Sequence, residues 1–492
     1  MSRGDLTFQP VHTLARLVAE GQVSAVELLD AHLERIEEID DQINAVVTVD
    51  EDGARTTAEA ADRATAAGES WGPLHGVPAT IKDALAVAGL RCTGGAIELT
   101  DNTPTEDATV VSRVKGAGAV IMGKTNLPRW SSDAQASNEI FGTTNNPWDL
   151  TRGPGGSSGG AAAAVATGMA AFDLGTDIGG SVRLPAHFCG VWGHKPTFGI
   201  VPAFGYIDHP SAGLTEPDIN VVGPIARTGE DLALLLDVIA GAAPDQTAGW
   251  RLELPPSPVE GLAGTRVGMW LDDPACPVGT EVAEVLGLLP GLLDGAGAIV
   301  DPDARPDVSF DTVAEIGRPL IAAATSPARS DEEFGQLVAN EDAAVDQVRA
   351  RWAGASTMRH RDWLLLTEER ARVRKAWAVF FETVDVLLCP VAIVPAFPHV
   401  TGGNIYTRTL DVDGTTRAYA DLISWTSFIG FAYLPSTVVP VGLSPSGLPV
   451  GVQVVAPHLA DRTALRVAQS IGELTGGWQM PPGLVPSEAD PR

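Results

Sequence analysis

Lysine is scarce in this sequence. The 492 residues include only five lysines, and any reaction that needs a lysine as a base or as a covalent anchor therefore has few candidates. These five are Lys82, Lys115, Lys124, Lys195 and Lys375.

Positive charge in general is in short supply. The chain has 33 Lys and Arg residues against 62 Asp and Glu residues, which gives a formal net charge of −29. Proteins bind phosphate backbones and anionic lipid surfaces mainly through Lys and Arg, so this balance argues against direct contact with nucleic acid or with a membrane. A neutral or cationic small molecule suits the charge better, although the acidity is equally consistent with solubility alone.

Cysteine is also rare, and long apolar runs are missing. No CxxC pair occurs, and His187 and His194 lack a third ligand at a zinc-like spacing, so we expect neither a disulfide nor a metal site. The amino terminus has no apolar segment of the secretory type, and no run reaches the length of a membrane span. We therefore expect a cytoplasmic protein with no cofactor and with four reduced thiols, at Cys92, Cys189, Cys276 and Cys389.

The length and the local patterns predict an α/β protein of one large domain or two. Residues 24–27 form a capping box that starts a helix. Strands are predicted at 77–81, 386–390, 437–441 and 450–455, whereas most of the segment 280–383 has a helical pattern.

Lys82 follows the predicted strand 77–81 and therefore lies at the inner end of a buried element. A lysine in that position has two structural interpretations: it extends its amine to the surface, or it pairs with Asp83. If the strand continues through both residues, however, Asp83 points to the opposite face.

A second lysine lies in a segment that matches the P-loop pattern GxxxxGK[ST], from Gly118 to Thr125. A phosphate-binding loop needs turn residues between its glycines, but residues 119–122 are an apolar, strand-like run. The context favours a strand that ends in a loop over a nucleotide site.

Two glycine-flanked serines bound the stretch 152–181. Ser157 lies in GGSSGG and Ser181 ends GTDIGGS, and an alanine-rich segment predicted to be helical at 161–171 joins them. Glycines on both sides of a serine leave it open to a ligand and permit unusual backbone conformations. Each loop could by itself be an ordinary tight turn, but the pair could also meet in space.

These motifs carry a resemblance to a known family. The run GGSSGG, the run LGTDIGGSVRLPAHFCGVWGHKPT, the upstream GVPATIKD and the closing LPSTVVPVGLSPSGLPVGVQVVAP resemble the amidase signature family of serine hydrolases. The resemblance covers nearly the whole chain and implies one domain, 1–492, with a large mixed β-sheet core flanked by helices on both faces. It is weakest in the middle, where about 255–380 is expected to be a helical cap or pocket-lining segment.

The resemblance implies a Ser-Ser-Lys triad. Ser181 would be the nucleophile, Ser157 a bridging serine after a cis peptide bond, and Lys82 the terminal base. Burial beside the apolar strand would lower the pKa of Lys82 so that a neutral amine is available. The family places the oxyanion hole on four backbone N–H groups, those of Ile178, Gly179, Gly180 and Ser181.

The implied reaction is acyl transfer through an acyl-enzyme, with an amide, ester or carbamate (urethane) as the small-molecule substrate and a monomer or homodimer as the working unit. Candidate pocket residues are mostly aromatic and include no obvious carboxylate-binding arginine, which favours a neutral, hydrophobic or aryl amide or carbamate. The alternative is that these aromatic residues belong to the core. The candidates are Trp130, Ser131, Trp192, Phe204, Tyr206, Trp425 and Phe428.

Two other functions stay open. A glutamine amidotransferase subunit would have the same fold but would need partner subunits, one of which would have to contact tRNA in place of this acidic chain. A P-loop nucleotide-binding protein would depend on Lys124 instead.

Overall fold

The computed structural model describes residues 3–341, 347–403, 405 and 407–482. Fifteen β-strands occur in these ranges. In chain order, β1 to β15 are Val46–Val49, Pro78–Lys82, Val120–Thr125, Ser137–Asn138, Gly142–Thr143, Asp173–Asp177, Trp192–Lys195, Val221–Ala226, Arg266–Met269, Ile299–Asp301, Val386–Pro390, Thr409–Val412, Thr415–Ala418, Ser436–Leu443 and Pro449–Val455.

Sixteen α-helices occur in the same ranges. In chain order, α1 to α16 are Arg3–Leu6, Val11–Ala19, Ala25–Ile43, Glu51–Ala66, Thr109–Gly116, Gly159–Ala166, Arg183–Cys189, Gly229–Ile239, Thr280–Leu286, Leu289–Gly295, Arg318–Ala324, Asp331–Glu341, Gln347–Ser356, His360–Phe380, Ser424–Gly430 and Asp461–Thr475. A π-helical turn covers Val313–Gly317, and short 3-10 helices cover Ile97–Leu99, Arg129–Ser131, Ser326–Ala328 and Tyr419–Ile423.

Eleven of the strands form one mixed sheet in the order β1-β3-β2-β6-β8-β7-β14-β15-β11-β9-β10. The strands β3, β2 and β6 run parallel, as do β11, β9 and β10, and antiparallel pairs join these two parts. The sheet and its helices form the α/β fold that the sequence predicts. Because β2 lies between β3 and β6, buried on both sides, its carboxyl end places Lys82 in the interior.

Several local predictions are confirmed. Ser24 and Glu27 form the capping box at the start of α3, with the two reciprocal hydrogen bonds that define it. The predicted strand 386–390 is β11 with the same bounds, and 437–441 and 450–455 lie within β14 and β15.

The predicted helix at 161–171 differs from the observed α6, which begins two residues earlier and ends at Ala166. The reason is Gly168, whose φ of 76° leaves the right-handed helical region and turns the chain towards β6. The helix is therefore a short, fully buried connection between the two glycine-serine loops.

The segment that matches the P-loop pattern is not a loop. Residues Val120–Thr125 form the fully buried strand β3, and Lys124 donates a hydrogen bond from its Nζ to the carbonyl oxygen of Leu85 at 2.5 Å. A strand cannot turn successive N–H groups onto a phosphate, so the alternative of a P-loop nucleotide site is wrong.

The segment 255–380 contributes both to the sheet and to the helices. It supplies β9 and β10 at one sheet edge and the helices α9 to α14. Over the described part of the chain, no helix is both long and apolar enough to cross a bilayer.

Candidate active site

Lys82 is buried, and its amine contacts two hydroxyl groups. Its Nζ donates hydrogen bonds to Ser157 Oγ at 2.6 Å and to Thr176 Oγ1 at 2.8 Å. Asp83 is not its partner, because that carboxylate accepts hydrogen bonds from Thr93 and lies 3.7 Å from Lys124. Both structural interpretations of Lys82 are therefore excluded: the amine neither reaches the surface nor pairs with Asp83.

Burial lowers the pKa of Lys82 to about 7, although the negative charges of Asp177 and Asp173 partly oppose this shift. A substantial fraction of the amine is consequently neutral near pH 7 and can accept a proton. Asp173 Oδ1 accepts the backbone N–H of Lys82 at 3.1 Å, which fixes the strand end that carries the lysine. Burial also raises the pKa of Asp173 to about 7, against the hydrogen bonds that Thr80 and Thr125 donate to it.

Ser157 lies in the tightly packed loop between β5 and α6. The Gly156–Ser157 peptide bond is cis, as the family resemblance implies. A Cβ atom on Gly156 would lie 2.5 Å from the backbone nitrogen of Gln135, so only glycine fits there. The side chain of Ser157 is fully buried, and its Oγ faces Lys82.

Ser181 lies in the turn between β6 and α7, and an ion pair under the turn holds its shape. Asp177 accepts hydrogen bonds from the guanidinium of Arg183 at 2.8 and 3.0 Å, and both side chains are fully buried. Burial alone would raise the pKa of Asp177, but Arg183 outweighs that effect and the net pKa lies below the usual range. The backbone N–H of Ser158 donates to the Ser181 carbonyl oxygen at 3.1 Å, so the two glycine-serine loops are in contact.

Three of the four predicted oxyanion N–H groups are available. The N–H of Gly180 donates to Asp177 Oδ1 at 2.8 Å, which argues against Gly180 as an oxyanion donor. Within the described chain, the N–H groups of Ile178, Gly179 and Ser181 donate no hydrogen bond. Gly180 is still required, because its φ is 128° and a Cβ atom would lie 2.4 Å from Thr426 Oγ1.

A cavity borders this turn. Its wall includes Ile178, four residues of 324–328, and a set of aromatic and polar side chains, Trp130, Ser131, Tyr206, Asp208 and Asn220. Burial raises the pKa of Tyr206, whose hydroxyl faces those of Ser131 and Thr176. The hydroxyl of Tyr206 in the cavity wall and the amine of Lys82 thus both contact the hydroxyl of Thr176.

The other aromatic candidates do not line this cavity. Trp192 packs against Gly472 and Gly229. Phe204 is half-buried, and its carbonyl oxygen accepts the N–H of Thr109. Trp425 and Phe428 belong to an edge-to-face aromatic cluster with Trp270 and Phe310.

The four cysteines are buried and free. No group of three or more His, Cys, Asp or Glu side chains suited to a metal ion occurs in the ranges that the structure describes. His194 instead contacts Thr437 and Asp461, at 2.9 and 3.2 Å.

Sequence reasoning did not single out Thr176, Asp208 or Asn220. Thr176 lies within the motif GTDIGGS, one residue before the end of β6, and β6 is a neighbour of the strand that ends at Lys82. The motif was the signal that could have found it. Asp208 and Asn220 lie in loops without a motif. Asp208 is two residues from Tyr206 in the chain, whereas only the fold brings Asn220 to the same cavity.

Comparison with known proteins gives one family. A family model described as Amidase matches residues 27–465. The chain is 34% identical to a glutamyl-tRNA(Gln) amidotransferase subunit of Geobacillus thermodenitrificans, over 98% of this chain and all of that protein.

Solved structures of related enzymes share the fold over nearly the whole chain. A bacterial aryl acylamidase of the amidase signature family superimposes with a TM-score of 0.80 at 27% identity, covering 96% of this chain and 97% of the other. The corresponding glutamyl-tRNA(Gln) amidotransferase subunit of Thermotoga maritima gives a TM-score of 0.75 at 27% identity, covering 97% of this chain and 98% of the other.

Proposed function

The chain belongs to the amidase signature family, and we propose from this membership and from the site geometry that it hydrolyses an amide C–N bond through a covalent acyl-enzyme on Ser181. The observation that carries the proposal is the 2.6 Å contact between Lys82 Nζ and Ser157 Oγ in a buried site. A serine hydroxyl is a weak nucleophile until a neighbouring base takes its proton, and a neutral lysine amine is such a base.

In the proposed mechanism, protons pass towards Lys82 when a nucleophile attacks and away from Lys82 when a leaving group departs, first in acylation and again in deacylation. Ser181 Oγ attacks the substrate carbonyl carbon while its proton passes to Ser157, which gives its own proton to Lys82. The C–N bond then breaks, and the same proton returns through Ser157 to the leaving amine. Water then attacks the acyl-enzyme ester while its proton passes through Ser157 to Lys82. The C–O bond to Ser181 breaks as a proton returns from Lys82 through Ser157 to Ser181 Oγ, and the acid is released.

The tetrahedral intermediate carries a negative oxygen that needs fixed donors. We assign this role to the N–H groups of Ile178, Gly179 and Ser181, because the Gly180 N–H is already bonded to Asp177. Since the Asp177–Arg183 pair is buried and multiply hydrogen-bonded, the donors keep their positions before the substrate arrives.

The cavity lining favours an amide substrate without a carboxylate. A free amide, such as an aryl amide, is supported by the likeness to the aryl acylamidase and by a cavity whose described lining includes no Lys or Arg. Glutamine has a carboxylate that such a lining does not neutralise. Esters and carbamates have the same reacting carbonyl and remain within the proposal.

The second candidate function is that of a glutamine amidotransferase subunit, which would pass ammonia on with partner subunits. Sequence similarity favours it over a free amide hydrolase, because the 34% identity to such a subunit spans 98% of this chain.

We also propose that the chain is one domain whose segment 255–380 shapes the pocket, since residues 324–328 line the cavity.

Turnover assays separate the two candidates. From the cavity lining we expect the purified chain to release aniline from aryl amides at least about tenfold faster, in kcat/KM, than it releases ammonia from glutamine. Chromogenic anilide hydrolysis and ammonia release are measured on the same preparation, with Ser181→Ala as the blank for both. Turnover of glutamine alone would replace the free-amide proposal with the amidotransferase function, and no turnover of either class would contradict both.

A further inference from the structure

Asp208 is a carboxylate in the cavity wall, and within the described chain no Lys or Arg forms an ion pair with it. Its side chain is only 17% exposed, and burial raises its pKa. The nearest basic group is His209, whose Nε2 lies 3.9 Å from Asp208 Oδ1, beyond hydrogen-bond distance.

An arginine beside the cavity is occupied elsewhere. Arg129 lies 5.8 Å from the ring centroid of Trp130, but its guanidinium is bonded to Glu98 at 2.5 Å and lies 3.9 Å from Glu333. A partly buried carboxylate without such a partner is costly, which suggests that a ligand supplies the positive charge.

Two further side chains point to a ligand in the same cavity. Asn220 and Trp130 are each 4% exposed, and both line the cavity. Within the described chain, neither Asn220 Nδ2 nor Trp130 Nε1 has a hydrogen-bond acceptor. Buried polar groups are nearly always paired, so two unpaired N–H donors in the same cavity wall as the Asp208 carboxylate mark a site completed by another molecule.

The composition of the wall decides the class of that molecule. The carboxylate of Asp208 accepts hydrogen bonds and attracts positive charge, and the aromatic rings of Trp130 and Tyr206 add faces that favour a cation. The two free N–H donors require oxygen acceptors on the ligand.

We propose that this cavity binds a part of the substrate that carries a primary ammonium group, with Asp208 as its counter-ion and with neutral oxygen acceptors facing Asn220 and Trp130. The inference rests on the proposed function and sharpens it: the substrate class is an amino-substituted amide instead of a purely apolar one. The acidic chain as a whole favours the approach of such a cation.

Calorimetric titration tests this without turnover. Benzylammonium is the probe, and benzyl alcohol is its neutral counterpart of similar shape, both at about pH 8 so that Asp208 and the amine are charged. We expect wild type to bind benzylammonium at least about tenfold more tightly than benzyl alcohol, because a charge-assisted hydrogen bond is the difference between them. In Asp208→Asn the ratio of the dissociation constants for the two probes should be close to one.

The matched control is Asp237→Asn, which removes the same charge from an exposed carboxylate paired with Arg462 on another face. It should keep the wild-type ratio. Equal binding of the two probes to wild type, or a preference that survives Asp208→Asn, would overturn the proposal.

Folding is checked by thermal unfolding. Because burial raises the pKa of Asp208 and no Lys or Arg of the described chain pairs with its carboxylate, Asp208→Asn should melt no lower than wild type at neutral pH. Asp208→Ser gives a second neutral variant should the first not fold. Ser181→Ala protein should show the same probe preference as wild type. If wild type and Ser181→Ala bind the two probes equally, only the ammonium site is contradicted. If wild type prefers benzylammonium but hydrolyses no amide, only the proposed function is contradicted.

Discussion

Ser181→Ala should lower kcat/KM for the amide substrate by at least about 10⁴-fold, because it removes the atom that forms the acyl-enzyme. The hydroxyl is replaced by hydrogen at a half-exposed position, so the free energy of unfolding should change little. Steady-state hydrolysis and thermal unfolding of the same protein measure the two quantities.

Two further serine variants sharpen this result. Ser157→Ala should also be strongly impaired, since it removes the hydroxyl that Lys82 Nζ contacts and that relays the proton in the proposed mechanism. Ser112→Ala changes an exposed serine on α5 and should behave as wild type. If Ser181→Ala kept more than about a tenth of the activity, Ser181 could not be the nucleophile.

Lys82→Met should lower kcat by about 10³- to 10⁴-fold and should remove the pH dependence that the lysine causes. In wild type, kcat/KM should rise with pH as the amine loses its proton at about pH 7. In the variant this acidic limb should be absent from the residual activity. Lys115→Met, which removes a partly exposed amine paired with Asp107, serves as the control and should keep the wild-type profile.

The same lysine predicts how stability depends on pH. Since the pKa of Lys82 falls from its usual value of 10.5 to about 7 on folding, the unfolded chain binds more protons between these values. The free-energy cost of burying the protonated amine is absent above about pH 10.5 and fully developed below about pH 7. Lys82 therefore makes the free energy of unfolding decrease as the pH falls through this window. Lys82→Met should flatten this slope of the melting temperature, and an unchanged slope would mean that the folded-state pKa of Lys82 is not lowered.

Much of the site could be predicted because each of its motifs is a short, continuous stretch of sequence. The strand before Lys82 has an apolar pattern that requires burial, and the glycines around Ser157 and Ser181 indicate loops that only glycine can form. The spacing of these three residues then matches one family, so the same motifs predict the fold and the proposed triad.

The rest depends on contacts that no local pattern shows, both within one turn and between distant segments. No local pattern shows that Arg183 bonds back to Asp177 and thereby fixes the turn whose Gly180 N–H is already used. No local pattern shows that Trp425 packs in an aromatic cluster, or that Asp208 lies in the cavity wall. Hydrophobicity alone cannot separate a buried core tryptophan from one that lines a pocket, because both are apolar and mostly shielded from water.

The central claim is that Ser181 is a nucleophile activated through Ser157 by Lys82. The most direct measurement is labelling with a fluorophosphonate, followed by mass-spectrometric mapping of the modified residue, in wild type and in Lys82→Met. We predict a single adduct on Ser181 in wild type and a labelling rate reduced by about 10³-fold or more in the variant. An adduct on Ser157 with Ser181 unmodified, or equal labelling rates in the two proteins, would contradict this account.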